Sequence, residues 1–171
     1  MTAAAPTQLV TFRLAEDVFA ADIFAVERVL RHQTPTPIPN VPAWIDGVVE
    51  YQNRVVPVIN LRRRLELPEA PVRPETRLLV FQVEGEWIAA VVDAVLEVVA
   101  ATPEEIAPPP ALFRGLAGEY LRGVVRRKDR LVIFLEAARL LSSTERLQLQ
   151  TALDERLIVE HGGGGEAQED G

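Results

Sequence analysis

The sequence has no cysteine, one methionine and two histidines in 171 residues. Lack of cysteine excludes a disulfide framework, a thiolate zinc centre and a cysteine nucleophile. His32 and His161 are far apart in sequence and make no histidine-rich metal centre, so no cofactor and no metal site are expected. Aromatics are scarce, six Phe, two Trp and two Tyr, too few for the stacking platforms that hold single-stranded nucleic acid. No uncharged apolar run approaches the roughly 18 to 20 residues of a spanning helix. The opening Met1 to Pro6 lacks the basic and apolar regions of a signal peptide. The expectation is a soluble, cytoplasmic protein with no direct membrane insertion.

The net charge is -7, but Asp154 to Gly171 carries six acids against Arg156 alone. The preceding body holds 17 bases and 19 acids and is nearly neutral, which argues against general nucleic-acid binding, since that needs a clustered basic footprint. Clustered histidines, cysteines or carboxylates at catalytic spacing are lacking, and the only serines, Ser142 and Ser143, sit where a helix cap is expected. No enzyme is expected.

What the chain does have is valine-rich apolar runs punctuated by short polar turns. Leu9 to Leu14 and Arg77 to Val83 are β-branched or aromatic, partly alternating, and each is followed by a turn and a second apolar run, Val18 to Ile23 and Trp87 to Val92. These are hairpins. They are also copies. At an offset of 69, Gln8 to Leu30 aligns without gaps on Arg77 to Val99 with seven identities, among them Phe12/Phe81, Ala20/Ala89, Val26/Val95 and Val29/Val98. At an offset of 76, Trp44 to Leu65 aligns on Tyr120 to Leu141 with seven more, including Gly47/Gly123, Val48/Val124 and Arg54/Arg130. Such ordered self-similarity marks an internal duplication. In the second pair of hairpins the tips are Gln52-Asn53 and Lys128-Asp129, where Asn and Asp tolerate left-handed backbone.

Each half therefore reads as two hairpins plus a short helix, Leu61 to Leu65 and Glu136 to Leu141, and so few short strands suit a small closed barrel. The expected fold class is mainly β: two tandem five-stranded barrels, the first over residues 8–66 and the second over 77–141. Proline-rich stretches, Thr34 to Pro39 and Pro103 to Pro110, cross between hairpins, and Leu67 to Pro74 joins the halves. Residues 1–7 are expected to be flexible. Ser142 to Glu145 is a capping box that should open a helix over residues 142–161, with Leu147, Leu149, Leu153, Leu157 and Ile158 apolar, before a disordered acidic tail over 162–171. The run Arg62-Arg63-Arg64 reads as a solvated face. The basic hairpin carrying Arg122, Arg126, Arg127, Lys128 and Arg130 reads either as an electrostatic patch or as a charged guard on a sheet edge.

Two stretches, Ile38-Pro-Asn-Val-Pro-Ala-Trp-Ile-Asp-Gly-Val48 and Arg54-Val-Val-Pro-Val-Ile-Asn-Leu-Arg62, closely resemble the CheW-like chemotaxis coupling proteins. So do Ala21-Asp-Ile23, Val91-Val-Asp-Ala-Val95 and Glu119-Tyr-Leu-Arg-Gly123. The resemblance spans residues 8–151. It implies two intertwined SH3-like barrels around a shared apolar centre. It also implies a non-catalytic adaptor in chemoreceptor arrays, joining the cytoplasmic tip of chemoreceptors to the regulatory domain of a CheA-type histidine kinase. The family's receptor surface is an apolar groove, and the matching positions are Val26, Gly47, Val48, Leu79, Ala89 and Val98. Two positions depart from the family pattern. Gln52 and Asn53 replace an Arg-Gly pair at the first-barrel tip, with Arg54 two residues on as the substitute cation. Arg28 stands where the family has a glutamate. At Arg28 either Glu27 takes over the acidic role or the partner carries the opposite sign; the second case is the expectation of a dedicated, non-standard chemosensory system. The alternative is an SH3-like module for another protein or nucleic-acid ligand.

Overall fold

The structure is a computed structural model and describes residues 5–109 and 118–154. β1 (Thr7–Leu14) and β2 (Asp17–Asp22) form the first hairpin, followed by β3 (Val26–Arg31); β4 (Ile45–Tyr51) and β5 (Arg54–Asn60) form the second, followed by the one-turn helix α1 (Leu61–Arg64). The pattern then repeats: β6 (Arg77–Val83) with β7 (Glu86–Val92), β8 (Ala94–Ala101), a short β9 (Ile106–Ala107), and β10 (Leu121–Arg127) with β11 (Arg130–Leu135). A final helix, α2, occupies residues 143–154. All four hairpins turn on two residues. Gln52 and Asn53 (φ +49° and +62°) and Glu84 and Gly85 (φ +50° and +80°) take the paired left-handed geometry that matches strand twist. In the last hairpin the left-handed residue is Lys128 rather than Asp129. The N-terminal residues 1–4, the end of the second proline crossing at Pro110, the helix expected beyond residue 154 and the acidic tail lie outside the described residues.

Strand pairing does not follow the two sequence halves. One sheet has the order β8-β1-β2-β11-β10-β9, the other β3-β6-β7-β5-β4. Each barrel thus takes its first hairpin from one half and its remaining strands from the other. The junctions are parallel pairs, β2 with β11 and β5 with β7. The expected boundaries 8–66 and 77–141 mark the repeats, not the hydrogen-bonded units. The physical reason is burial on both faces. Along β6, Leu78 and Val80 point into the five-stranded barrel while Leu79, Phe81 and Val83 join a larger centre between the sheets. Along β2, Val18 and Ala20 fill the six-stranded barrel while Phe19 and Ala21 face that same centre. A hairpin apolar on both sides hides both only where two barrels meet, and its sequence reads as a nearly continuous apolar run. The result is the intertwined double barrel with a shared centre.

Two glycines make close chain crossings possible. A Cβ on Gly47 (φ +142°) would come within 2.1 Å of the Thr36 carbonyl oxygen, and one on Gly123 within 2.6 Å of that of Ala107. Both sit at a register shift in their hairpin, and at both the proline-rich crossing lays its backbone against the strand, Thr36 against Val48 and Ala107 against Val124. The repeated glycine is therefore a packing requirement. The capping box of α2 forms as expected, with the Glu145 N–H donating to Ser142 Oγ at 3.1 Å and the Ser142 N–H to Glu145 Oε1 at 2.8 Å. Leu149, Ala152 and Leu153 bury against the shared centre, whereas Leu147 points away from it at 69% exposure.

Candidate partner interface

Each sheet ends on a strand that is open along one edge, β3 in one and β8 in the other. The two are repeats of each other and are the most exposed long strands of the molecule. Their equivalent valines, Val29 and Val98, are 41% and 52% exposed. Beyond that the edges differ. β3 places Glu27, Arg28 and Arg31 at the surface; β8 places Leu96, Val98 and Ala100 there, with Glu97 its one exposed charge. Charged edges resist strand addition, and apolar ones invite contact.

At one end of the five-stranded barrel its first and last strands, β3 and β4, are brought together by side chains. Arg28 on β3 lies over the Tyr51 ring of β4 at 5.9 Å, Tyr51 meets Trp87 of β7 at 5.0 Å, and Arg54 of β5 covers Trp87 at 4.0 Å. The rings pack on Val49, Val56 and Val80 inside the barrel and close its mouth, with each guanidinium contact worth about 0.5–1 kcal/mol. Gln52 Nε2 donates to Tyr51 Oη at 3.2 Å, and Arg54 Nη2 to the Gly85 carbonyl at 3.4 Å.

The arginine run after β5 is not a solvated face. Arg62 and Asp93 form a bidentate pair in which Arg62 Nε donates to Asp93 Oδ1 at 3.0 Å. Asp93 Oδ2 also accepts from the Ala15 N–H at 2.8 Å, so one carboxylate fastens α1 to the first hairpin's turn. Arg64 lies 3.8 Å from Trp44 and 4.9 Å from Tyr120, donates through Nε to the Leu140 carbonyl at 2.9 Å and through Nη2 to Glu145 at 2.6 Å. Burial works to raise the Glu145 carboxyl, but the Arg64 and Ser142 hydrogen bonds outweigh it and hold the group below its ordinary range. Only Arg63 stays at the surface, pairing with Glu69 and Asp46. Burial raises the Asp46 carboxyl, and the Arg63 charge offsets only part of that. A charge run read from sequence alone lacks the long-range partners that draw Arg62 and Arg64 inward; the half-to-half pairing that supplies them is tertiary.

The CheW-like domain family model matches residues 8–145. The chain belongs to this family. It is 33% identical over 142 residues to the chemotaxis protein CheW of Treponema pallidum, covering 81% of this chain and 84% of that protein. It is 40% identical over 124 residues to protein FrzA of Myxococcus xanthus, covering 72% and 74%. Among solved structures, the scaffolding protein TtCheW of Thermoanaerobacter tengcongensis superposes with a TM-score of 0.76 at 27% identity, covering 82% of this chain and 95% of that one.

The positions that correspond to the CheW-like groove separate into two groups. Val48 is buried, Leu79 and Ala89 have no exposed surface, and Gly47 is closed over by Thr36. These residues build strands and offer a partner nothing to touch. Arg28, Gln52, Asn53, Arg54 and Val98 are exposed, and Val26 is half-buried at the start of β3. The two departures from the CheW-like pattern, Arg28 and Gln52, prove to be neighbours, since both contact Tyr51. They are one local rearrangement in which an aromatic ring stands between a cation and an amide. Sequence reasoning missed Trp87 and Tyr51, although their place in the repeat, opposite Val18 and Arg127, distinguishes them.

Proposed function

We propose that this CheW-like protein is a non-catalytic adaptor that couples the cytoplasmic tip of chemoreceptors to the regulatory domain of a CheA-type histidine kinase. In this reading it is cytoplasmic and reaches the membrane only through its partners. The family match across residues 8–145 carries it, supported by relatives named as chemotaxis and scaffolding proteins. The exposed positions Val26, Arg28, Gln52, Asn53, Arg54 and Val98 are the contacts, while Gly47, Val48, Leu79 and Ala89 hold the strands that present them. A double barrel with two dissimilar edges makes heterologous contacts, which close into rings when the rotation permits.

The Arg28 and Gln52 exchange favours partners of its own over those of a typical system, because reversing a charge beside a contact surface penalises the original partner. The test is co-sedimentation of the full chain with membranes carrying the receptor encoded beside its gene, with and without the neighbouring kinase, alongside kinase activity. Expected is co-sedimentation with both and a rise in autophosphorylation. Absence of binding to either overturns the adaptor reading. Full activation of a kinase from a typical system would sink the claim of dedicated partners while leaving the adaptor intact.

A further inference from the structure

The internal repeat supplies a control for one surface. At the closed mouth of the five-stranded barrel, Tyr51 and Trp87 lie between Arg28 and Arg54. At the equivalent end of the six-stranded barrel the repeat places Arg127, Val18, Glu97 and Arg130. The two rings are missing, and a recess of about 610 Å³ opens there. Its floor is Thr11, Val18 and Val132, all buried; its apolar wall includes Leu96, 45% exposed, and Val99. Its rim is Arg126, Arg127, Lys128 and Arg130, with Glu97 the one carboxylate lining it. Glu105 reaches Arg127 at 3.5 Å. Arg126, Lys128 and Arg130 have no ion-pair partner among the described residues, and beside the recess runs the open edge of β8. Thr11 Oγ1 donates to the Glu97 carbonyl at 2.6 Å and accepts the Glu97 N–H at 3.0 Å, fixing that edge where the register of β1 and β8 shifts.

We propose that this open mouth binds an acidic segment of a partner protein that carries one aromatic side chain. The ring takes the volume that Trp87 fills in the other barrel, and flanking carboxylates meet Arg126, Lys128 and Arg130. Charge complementarity selects the class: three cations without an ion-pair partner among the described residues, over a largely apolar floor, favour an acidic peptide with an apolar anchor over a neutral or basic one. A guard against edge aggregation would need the charges but not the recess. The inference stands independently of the receptor and kinase reading.

The test uses the full chain and a fluorescently labelled synthetic peptide of alternating Glu and Val around one central Trp, followed by anisotropy. Binding is expected to weaken with salt, to fall roughly tenfold or more on Arg126→Glu with Arg130→Glu, and to fall again when the peptide's Trp becomes Ala. Val18→Trp, which imports the other mouth's ring, should abolish binding; should that variant fail to fold, the surface charge reversals decide alone. Equal binding of the Trp and Ala peptides, or of a single-stranded oligonucleotide of the same charge, overturns the proposal by reducing the mouth to a general polyanion surface. Tighter binding of a peptide of residues 155–171 overturns the choice of occupant, making it the chain's own acidic end.

Discussion

At one end of the five-stranded barrel Tyr51 and Trp87 meet at a tilt of 50° between Arg28 and Arg54, whereas the equivalent positions of the repeat in the six-stranded barrel are Arg127, Val18, Glu97 and Arg130. The backbone frames are alike, down to the register shifts at Gly47 and Gly123. The difference lies in a few side chains. It shows that duplication fixed the barrel while leaving each mouth free: one is sealed by its own aromatics, the other kept open and basic. Stability and contact are thus divided between the two ends.

The largest effect should come from unsealing the closed mouth. Trp87→Ala removes a half-buried ring and the Arg54 contact and is expected to cost about 2–4 kcal/mol, against roughly 1.5 kcal/mol for its counterpart Val18→Ala; urea unfolding of both variants measures the asymmetry. Next is Thr11→Val. Its counterpart in the other barrel is Val80, but here the hydroxyl satisfies the Glu97 N–H, so its loss should cost about 1–3 kcal/mol, and a neutral result would mean that the β8 edge rearranges freely.

A smaller effect concerns α2, which packs by the closed mouth, where Leu149, Gln150 and Leu153 line a crevice with Arg54 and Trp87. The folded Glu145 carboxyl is held below its ordinary value. Its contribution is therefore present above the unfolded value and lost as pH falls through the folded one. Glu145→Gln should lower stability by about 1 kcal/mol near neutral pH and flatten the acid limb of the stability curve. An unchanged limb would refute the Arg64 anchor. The smallest effect is expected at the open mouth: Arg126→Glu with Arg130→Glu should leave unfolding stability within about 0.5 kcal/mol, because neither cation has an ion-pair partner among the described residues. A large loss would make the basic rim structural.

Much of this architecture is legible in the sequence. The hairpins, the duplication and the α2 cap follow from local pattern, and the intertwined CheW-like fold is what the family resemblance implies. The exchange of hairpins does not follow from local pattern, because Gln8 to Leu30 and Arg77 to Val99 carry the same apolar pattern, and either copy satisfies either barrel. What decides it is the burial of both faces around the shared centre, a property of the assembled pair. The arginine run misled for a related reason: Arg62 is drawn inward by Asp93, 31 residues away, and Arg64 by Glu145, 81 away. For the groove positions, sequence matching selected Leu79 and Ala89 beside Val98 without distinguishing wall from surface, since aliphatic residues of a small barrel look alike until burial separates them.

The exchanged hairpins also set an order of events during synthesis. β2 ends at Asp22, and β11, the strand that must lie parallel to it, begins at Arg130, 108 residues later. At about 5–20 residues per second, the first hairpin spends roughly 5–20 seconds outside the ribosome with one apolar face uncovered. In that interval β6 and β7 emerge, carrying nearly the same pattern, and complete the other sheet with β3, β4 and β5. The five-stranded barrel is thereby the first that can close. The nascent chain holds its opening residues in reserve for a barrel whose last strands have yet to be made.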